Sequence, residues 1–220
     1  MAVITVLAGV NGAGKSSIAG AWISAQGGHW FNPDAEARRL RQADPGLGFE
    51  TSNAAAWKTG RDSLELAIAS NRDFVFETTL GGSTIPGLLR TAAIQDHQVK
   101  VFYVGLTSLE LHMTRVAERV SKGGHDIPEW RIRQRFDSSR RNIINLVPYL
   151  SELVVFDNSA EAEPELGRRP SPVRLLHYRQ GKVLYVARRL MPAHAWARPI
   201  LGAVLGRGDP HEGYGKGEPA

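Results

Sequence analysis

An α/β domain with a mostly parallel central sheet flanked by helices is what this sequence predicts, and three observations predict it. Short apolar runs rich in Val, Phe and Tyr recur from Val3 to about Asn158. Stretches with helical spacing of apolar residues lie between them. Each gap is long enough for the crossover helix that parallel neighbours require.

The candidate strands are VITVLA (3–8), HWFN (29–32), FVFET (74–78), KVFYVGL (100–106) and LVVFDNS (153–159). The candidate helices cover 15–25, 34–42, 52–70, 85–96, 108–121 and 128–147. In the fifth, Ser108 is placed to cap, and Leu109, Met113, Val116 and Val120 share one face and read as core. Beyond Asn158 the texture changes. Residues 161–172, EAEPELGRRPSP, read as a linker, and residues 173–190 read as a β-hairpin around Gln180-Gly181. AWARPILGAV is too short and too interrupted by proline to assign. The expected organisation is a core over 1–160 with a lid at about 119–136, a C-terminal extension with the hairpin over 161–205, and a disordered tail over 206–220.

The totals bound the chemistry. The chain has 220 residues, 42% hydrophobic and 22% charged, as expected of an ordinary globular domain. It has no cysteine, which removes disulfides, thiolate metal sites and cysteine nucleophiles. No apolar run approaches the roughly 20 residues of a membrane span, and the N-terminus lacks the basic region of a signal peptide, so a cytoplasmic protein without a membrane partner is expected. The net charge is +5, and Arg115, Arg119, Arg131, Arg133, Arg135, Arg140 and Arg141 crowd one stretch, which suits a local anionic ligand. No basic face interleaved with aromatic residues is evident for stacking single strands, so nucleic acid is not the expected partner.

The most informative residues are Gly9-Val10-Asn11-Gly12-Ala13-Gly14-Lys15-Ser16, directly after the first strand. They fit the phosphate-loop pattern G-x-x-x-x-G-K-[ST] between a strand and a helix. The backbone amides of Gly9, Asn11, Gly12, Ala13, Gly14 and Ser17 would cradle phosphate oxygens, and Lys15 would reach the β- and γ-phosphates. Ser16 is the candidate ligand of a Mg²⁺ ion. The pattern predicts a nucleoside triphosphate, ATP or GTP, as phosphoryl donor. A guanine-reading N-K-x-D motif is absent, which argues against a regulatory GTP switch.

Two carboxylates complete a kinase-like set. Asp34, in FNPD, follows the second predicted strand and suits a general base for an acceptor hydroxyl, although a helix cap would look the same in sequence. Glu77 ends the third predicted strand, at the edge where ligands lie in open α/β sheets. The stretch from Arg119 through Gly123-Gly124 to Arg135 reads as a hinged lid bearing guanidiniums for the transferring phosphate. Arg131 and Arg135 share one face of the second arm and Arg133 lies opposite; spacing does not decide which face looks inward. His125 reads as a hinge residue, and no histidine pairs with it at metal-ligand spacing, so no zinc site is expected.

Taken together, AGVNGAGKSS, FNPDAEAR, FVFETTLGG and RVSKGGHDIPEWRIRQRFDSSRRNI resemble the zeta-toxin-like kinases, toxin halves of bacterial toxin–antitoxin pairs, over roughly residues 3 to 160. The resemblance implies a P-loop kinase fold with a helical lid. It implies transfer of the γ-phosphate of ATP or GTP, with Mg²⁺, to the 3′-hydroxyl of UDP-N-acetylglucosamine, which poisons peptidoglycan synthesis. By motif position Lys15 and Ser16 take the phosphate-loop roles, Asp34 is the catalytic base, Glu77 and Thr79 contact the acceptor sugar, and Arg119 is the first lid arginine. The family's second lid arginine aligns near Ile132; Arg131, Arg133 and Arg135 all compete for it, and Arg133 is the choice made here. Because the phosphate loop begins at residue 9, no inhibitory domain is expected before it, and restraint would need a separate antitoxin. Other readings in view are a kinase for another nucleotide sugar, a sugar acid or an antibiotic, a polynucleotide kinase, and a nucleotide-gated interaction module without turnover.

Overall fold

The computed structural model of the protein describes residues 1–18, 28–124, 126–160 and 171–206. The linker at 161–170, most of the predicted tail, His125 and the later part of the first helix lie outside the described residues.

Six strands form one mixed sheet: β1 (Val3–Ala8), β2 (Phe74–Thr78), β3 (Gln98–Gly105), β4 (Glu152–Asp157), β5 (Val173–Arg179) and β6 (Lys182–Val186). Their order is β2-β1-β3-β4-β5-β6. The first four run parallel and the hairpin β5–β6 adds two antiparallel strands beside β4. Alternation along β1 sends Ile4, Val6 and Ala8 into one apolar layer and Leu7 into the opposite one.

Helix α1 begins at Lys15 and is described over 15–18. It is followed by α2 (Pro33–Ala43), α3 (Phe49–Ala69), α4 (Thr84–Ile94), α5 (Leu109–Ser121), α6 (Glu129–Leu146) and α7 (Arg198–Leu205). Ser108 caps α5 by accepting from the Leu111 amide at 3.2 Å. Leu109, Met113 and Val120 pack with buried Val116, Val10, Ile127 and Ile132, which joins α5 and α6 to the phosphate loop. Among the described residues no helix is long and apolar enough to cross a membrane.

Two elements differ from expectation. The predicted strand at 29–32 is a single parallel bridge, Phe31 to Phe76. Phe31 donates to the Val75 carbonyl and accepts from the Glu77 amide, but Asn32 then caps α2 and Pro33 has no amide to pair. The unassigned AWARPILGAV forms the end of a 3₁₀ turn (Pro192–Ala197) and α7. Pro199 falls in the first turn of α7, where its missing N–H costs nothing, so proline marks a helix start here rather than a break. Trp196, Ile200, Leu201 and Val204 are buried against the main core.

Ile143, on α6, is fully buried in that core, whereas Ile94 at the end of α4 is 68% exposed. Ile143→Ala should therefore lower stability by about 2–5 kcal/mol in urea denaturation, and Ile94→Ala by no more than about 0.5 kcal/mol.

Candidate functional site

All four parallel strands end at one edge of the sheet, and the predicted site residues gather there. Between β1 and α1 the loop from Gly9 to Gly14 curls back on itself. Gly12 has φ +82°, and a β-carbon there would stand 2.7 Å from the His112 carbonyl oxygen on α5, so only glycine lets the loop pass this close. Ala13 is buried, and its carbonyl accepts from the Asn158 side chain at 2.9 Å.

Lys15 is buried to 6% exposure, with Nζ 3.5 Å from Glu77 Oε1. Ser16 Oγ donates to Glu77 Oε2 at 2.7 Å, and Asn32 Nδ2 donates to the same oxygen at 3.1 Å. Glu77, expected at the acceptor, thus turns its carboxylate onto the phosphate loop. Its side chain also lines the neighbouring cavity together with Thr79. Hydroxyl and carboxylate oxygens side by side are the hard donors that Mg²⁺ takes, so Ser16 and Glu77 fit such an ion. Among the described residues no group of three or more histidines and carboxylates is arranged as a dedicated metal cage.

Asp34 occupies the first turn of α2, yet the cap is Asn32, whose Oδ1 accepts from the amides of Asp34 and Ala35 at 2.9 and 3.1 Å. The Asp34 carboxylate is left facing Arg119 Nη1 at 3.6 Å, with both side chains partly exposed. Two cavities meet at Asp34. The larger, about 1500 Å³, runs along Gly12, Gly14 and Ser17, past Thr114 and Arg115 of α5, to Asn158. The smaller, about 860 Å³, has Lys15, Glu77 and Thr79 at one end and Phe49, Trp57 and Arg61 of α3 along a wall. Asp34 lines both.

The three candidates for a second lid arginine, Arg131, Arg133 and Arg135, lie in different surroundings. Arg133 Nε and Nη2 both donate to Glu129 Oε1, one turn back on α6, at 2.9 and 2.6 Å, and Arg133 lines neither cavity. Arg131 and Arg135, on the other face, line the smaller cavity. Arg135 Nη1 donates to Asn11 Oδ1 in the phosphate loop at 2.8 Å. Burial, and then Arg131, hold the Arg135 guanidinium below its ordinary pKa, while Asp34 opposes them. The same helix face fastens the loop after β2: Ser138 Oγ donates to the Gly81 carbonyl, and Asn142 Nδ2 to those of Leu80 and Gly82.

Three positions carry no signal of function in the sequence alone. Asn32 and Asn158 are ordinary turn residues until their partners are seen. His112 reads as one more residue of a helix, but it is 1% exposed and its Nδ1 lies 2.8 Å from the Asn11 carbonyl oxygen. Burial pushes its pKa down to about 4, so it is neutral at neutral pH and donates from Nδ1.

Comparison with known proteins agrees with this architecture. A family model described as AAA domain matches residues 4–141. An uncharacterized protein of Haemophilus influenzae is 29% identical over 133 residues, 58% of this chain and 88% of that one. Among solved structures, the AvrRxo1-ORF1:-ORF2 complex with ATP superposes with a TM-score of 0.62 at 16% identity, over 90% of this chain and 62% of that chain. This chain therefore spans under two thirds of that neighbour. A structure from the PezAT chromosomal toxin–antitoxin system of Streptococcus pneumoniae gives a TM-score of 0.51 at 14% identity, over 77% of this chain and 73% of that one. These likenesses establish the fold, a P-loop kinase fold with a mixed sheet.

The burial of His112, partly offset by its bond to the Asn11 carbonyl, makes stability depend on pH. Its pKa falls from 6.5 to about 4 on folding, so between those values the unfolded chain binds the extra proton. The stabilisation is full above pH 6.5 and is lost as pH falls toward about 4, at no more than about 1.4 kcal/mol per pH unit. Urea denaturation across this range should show the slope, and His112→Asn, which keeps a donor for Asn11 but does not titrate, should flatten it.

Proposed function

Since the chain belongs to the AAA domain family matched over residues 4–141, we propose that it is a zeta-toxin-like kinase. In this reading it transfers the γ-phosphate of ATP, or GTP, to a hydroxyl of a nucleotide sugar, with UDP-N-acetylglucosamine as the first candidate. The observation that carries the proposal is the position of Asp34 on the wall shared by the two cavities. A donor in the larger cavity and an acceptor in the smaller one meet at this carboxylate. The aromatic rings and guanidiniums of the smaller cavity suit a flat ring joined to an anionic group.

In the transfer, the acceptor hydroxyl gives its proton to Asp34 as its oxygen bonds to the γ-phosphorus, and the bond from that phosphorus to the β,γ-bridging oxygen breaks, releasing the nucleoside diphosphate. Lys15 leaves Glu77 for the β- and γ-phosphates. Ser16 and Glu77 would hold Mg²⁺, which supplies charge neutralisation on the phosphates when bound. Arg119 and Arg135 flank the γ-position from the two arms of the lid and stabilise the charge spread over its oxygens. Because Asn11 already holds Arg135, this arginine needs little reorganisation to act.

One structural neighbour carries ATP in its described complex and another comes from a toxin–antitoxin system. They favour ATP as the donor and a toxin held in check by a separate antitoxin.

With UDP-N-acetylglucosamine as acceptor, Lys15→Ala and Asp34→Ala should both abolish phosphorylated product, while Asp34→Ala leaves ATP affinity within a few-fold. Arg135→Ala should lower kcat by about 10²–10³-fold, and Arg133→Ala by less than about twofold. Full turnover by Asp34→Ala, or equal losses from the two arginine variants, would contradict the assignment.

A further inference from the structure

The C-terminal segment that carries β5, β6 and α7 has no role stated so far, yet a side chain in the turn before α7 is hydrogen-bonded to the end of β4, next to residues that line the larger cavity. Trp196 is buried in the turn before α7, and Nε1 donates to Asp157 Oδ2 at 2.6 Å. Its ring lies over Gly105 at the end of β3 and fills the space a side chain there would need. Asp157 ends β4 and is only 4% exposed. Neutral donors surround it: besides the indole, the Ser159 amide donates to Oδ1 at 2.9 Å and the Ser159 hydroxyl to Oδ2 at 3.1 Å.

The bonds continue from this carboxylate straight into the phosphate loop. Ser159 Oγ in turn accepts from the Thr107 amide at 2.7 Å, which sets the loop at residues 157–160 against the strand end. Between the two residues so held stands Asn158. Its backbone amide donates to the Gly105 carbonyl at 3.0 Å, its side chain donates to the Ala13 carbonyl at 2.9 Å, and its own carbonyl accepts from Arg115 at 2.7 Å. Asn158, Ala160 and, from the C-terminal segment itself, Pro172 line the larger cavity.

We infer that Trp196 is a positioning residue for the nucleotide: through Asp157 it fixes the loop at 157–160, on which the donor's nucleoside end rests, and through Asn158 it holds the phosphate loop in its binding shape. The inference rests on the nucleotide-binding half of the reading above and not on the acceptor. Removing the indole N–H leaves a buried carboxylate oxygen short of a donor at the point where the loop at 157–160 leaves β4. The C-terminal elements are thereby part of the donor site, although they contribute little surface to it.

The test is ATP binding by the full chain, measured by titration calorimetry without any acceptor, alongside the thermal midpoint. Trp196→Phe loses the donor together with the outer indole ring over Gly105, and Leu201→Ala below controls for lost core volume; it should weaken ATP binding about five- to tenfold. Asn158→Ala should weaken it similarly, and the double variant should bind no worse than the weaker single variant, because both act through one loop. Leu201→Ala, which removes core volume on the neighbouring α7 without touching the loop, should lower the thermal midpoint and leave ATP affinity within about twofold. Unchanged affinity in Trp196→Phe, additive losses in the double variant, or an equal loss in Leu201→Ala would each overturn the inference. Failure to phosphorylate UDP-N-acetylglucosamine, with these affinities as expected, would count against the acceptor alone.

Discussion

Everything at the site follows from one constraint on the sheet. β1 is an interior strand with parallel neighbours on both sides, β2 and β3, and β4 runs parallel beyond β3. Parallel strands place their carboxyl ends at one edge, and the order of the chain reverses around β1, so the crevice opens above it. The phosphate loop leaves from β1, Glu77 from β2 and Asp157 from β4. The loop stays curled because its carbonyls are held from outside: Asn11 by His112 of α5, and Ala13 by Asn158 beyond β4. With the carbonyls turned outward, the amides can face a phosphate chain.

The division of labour among polar groups is equally physical. Asn32 satisfies the orphan amides of α2, which leaves Asp34 free of the cap and turned to Arg119. Glu77 supplies the negative charge that Lys15 needs in its buried position, and in the proposed function a bound triphosphate would replace one anion with another. α6 presents Arg135, Ser138 and Asn142 along one face, so the helix that carries the arginine also fixes the loop beside the smaller cavity. Distance between the candidate site groups is thus set by packed helices rather than by loose chain ends.

Much of this was legible in the sequence because the signals were local. The phosphate loop, β1–β4, the capped α5 and the hairpin each rest on residues within one element, and the structure has them near the expected bounds. Asp34 stands out in the sequence because it follows the second predicted strand and opens a helix, whereas the cap made by Asn32 rather than Asp34 is visible only in the structure. What was missed depends on contacts far apart in the chain. Spacing showed that Arg133 opposes Arg131 and Arg135, but only the packing of α6 against residues 80–82 decides which face looks inward. Glu77 was read by its strand position, and its partners Ser16 and Asn32 lie 61 and 45 residues away. The helix at Arg198–Leu205 was hidden by prolines that sit where a helix tolerates them.

The central claim is that Asp34 serves a hydroxyl brought against the γ-phosphate, so that transfer to an organic acceptor, and not hydrolysis, is the reaction. The most direct measurement is incubation of the protein with labelled ATP, Mg²⁺ and a panel of nucleotide sugars, followed by mass analysis of every acceptor. The account predicts one sugar, UDP-N-acetylglucosamine first among them, gaining a single phosphate on a hydroxyl while ADP accumulates in equal amount. Release of free phosphate with every acceptor recovered unmodified would contradict it.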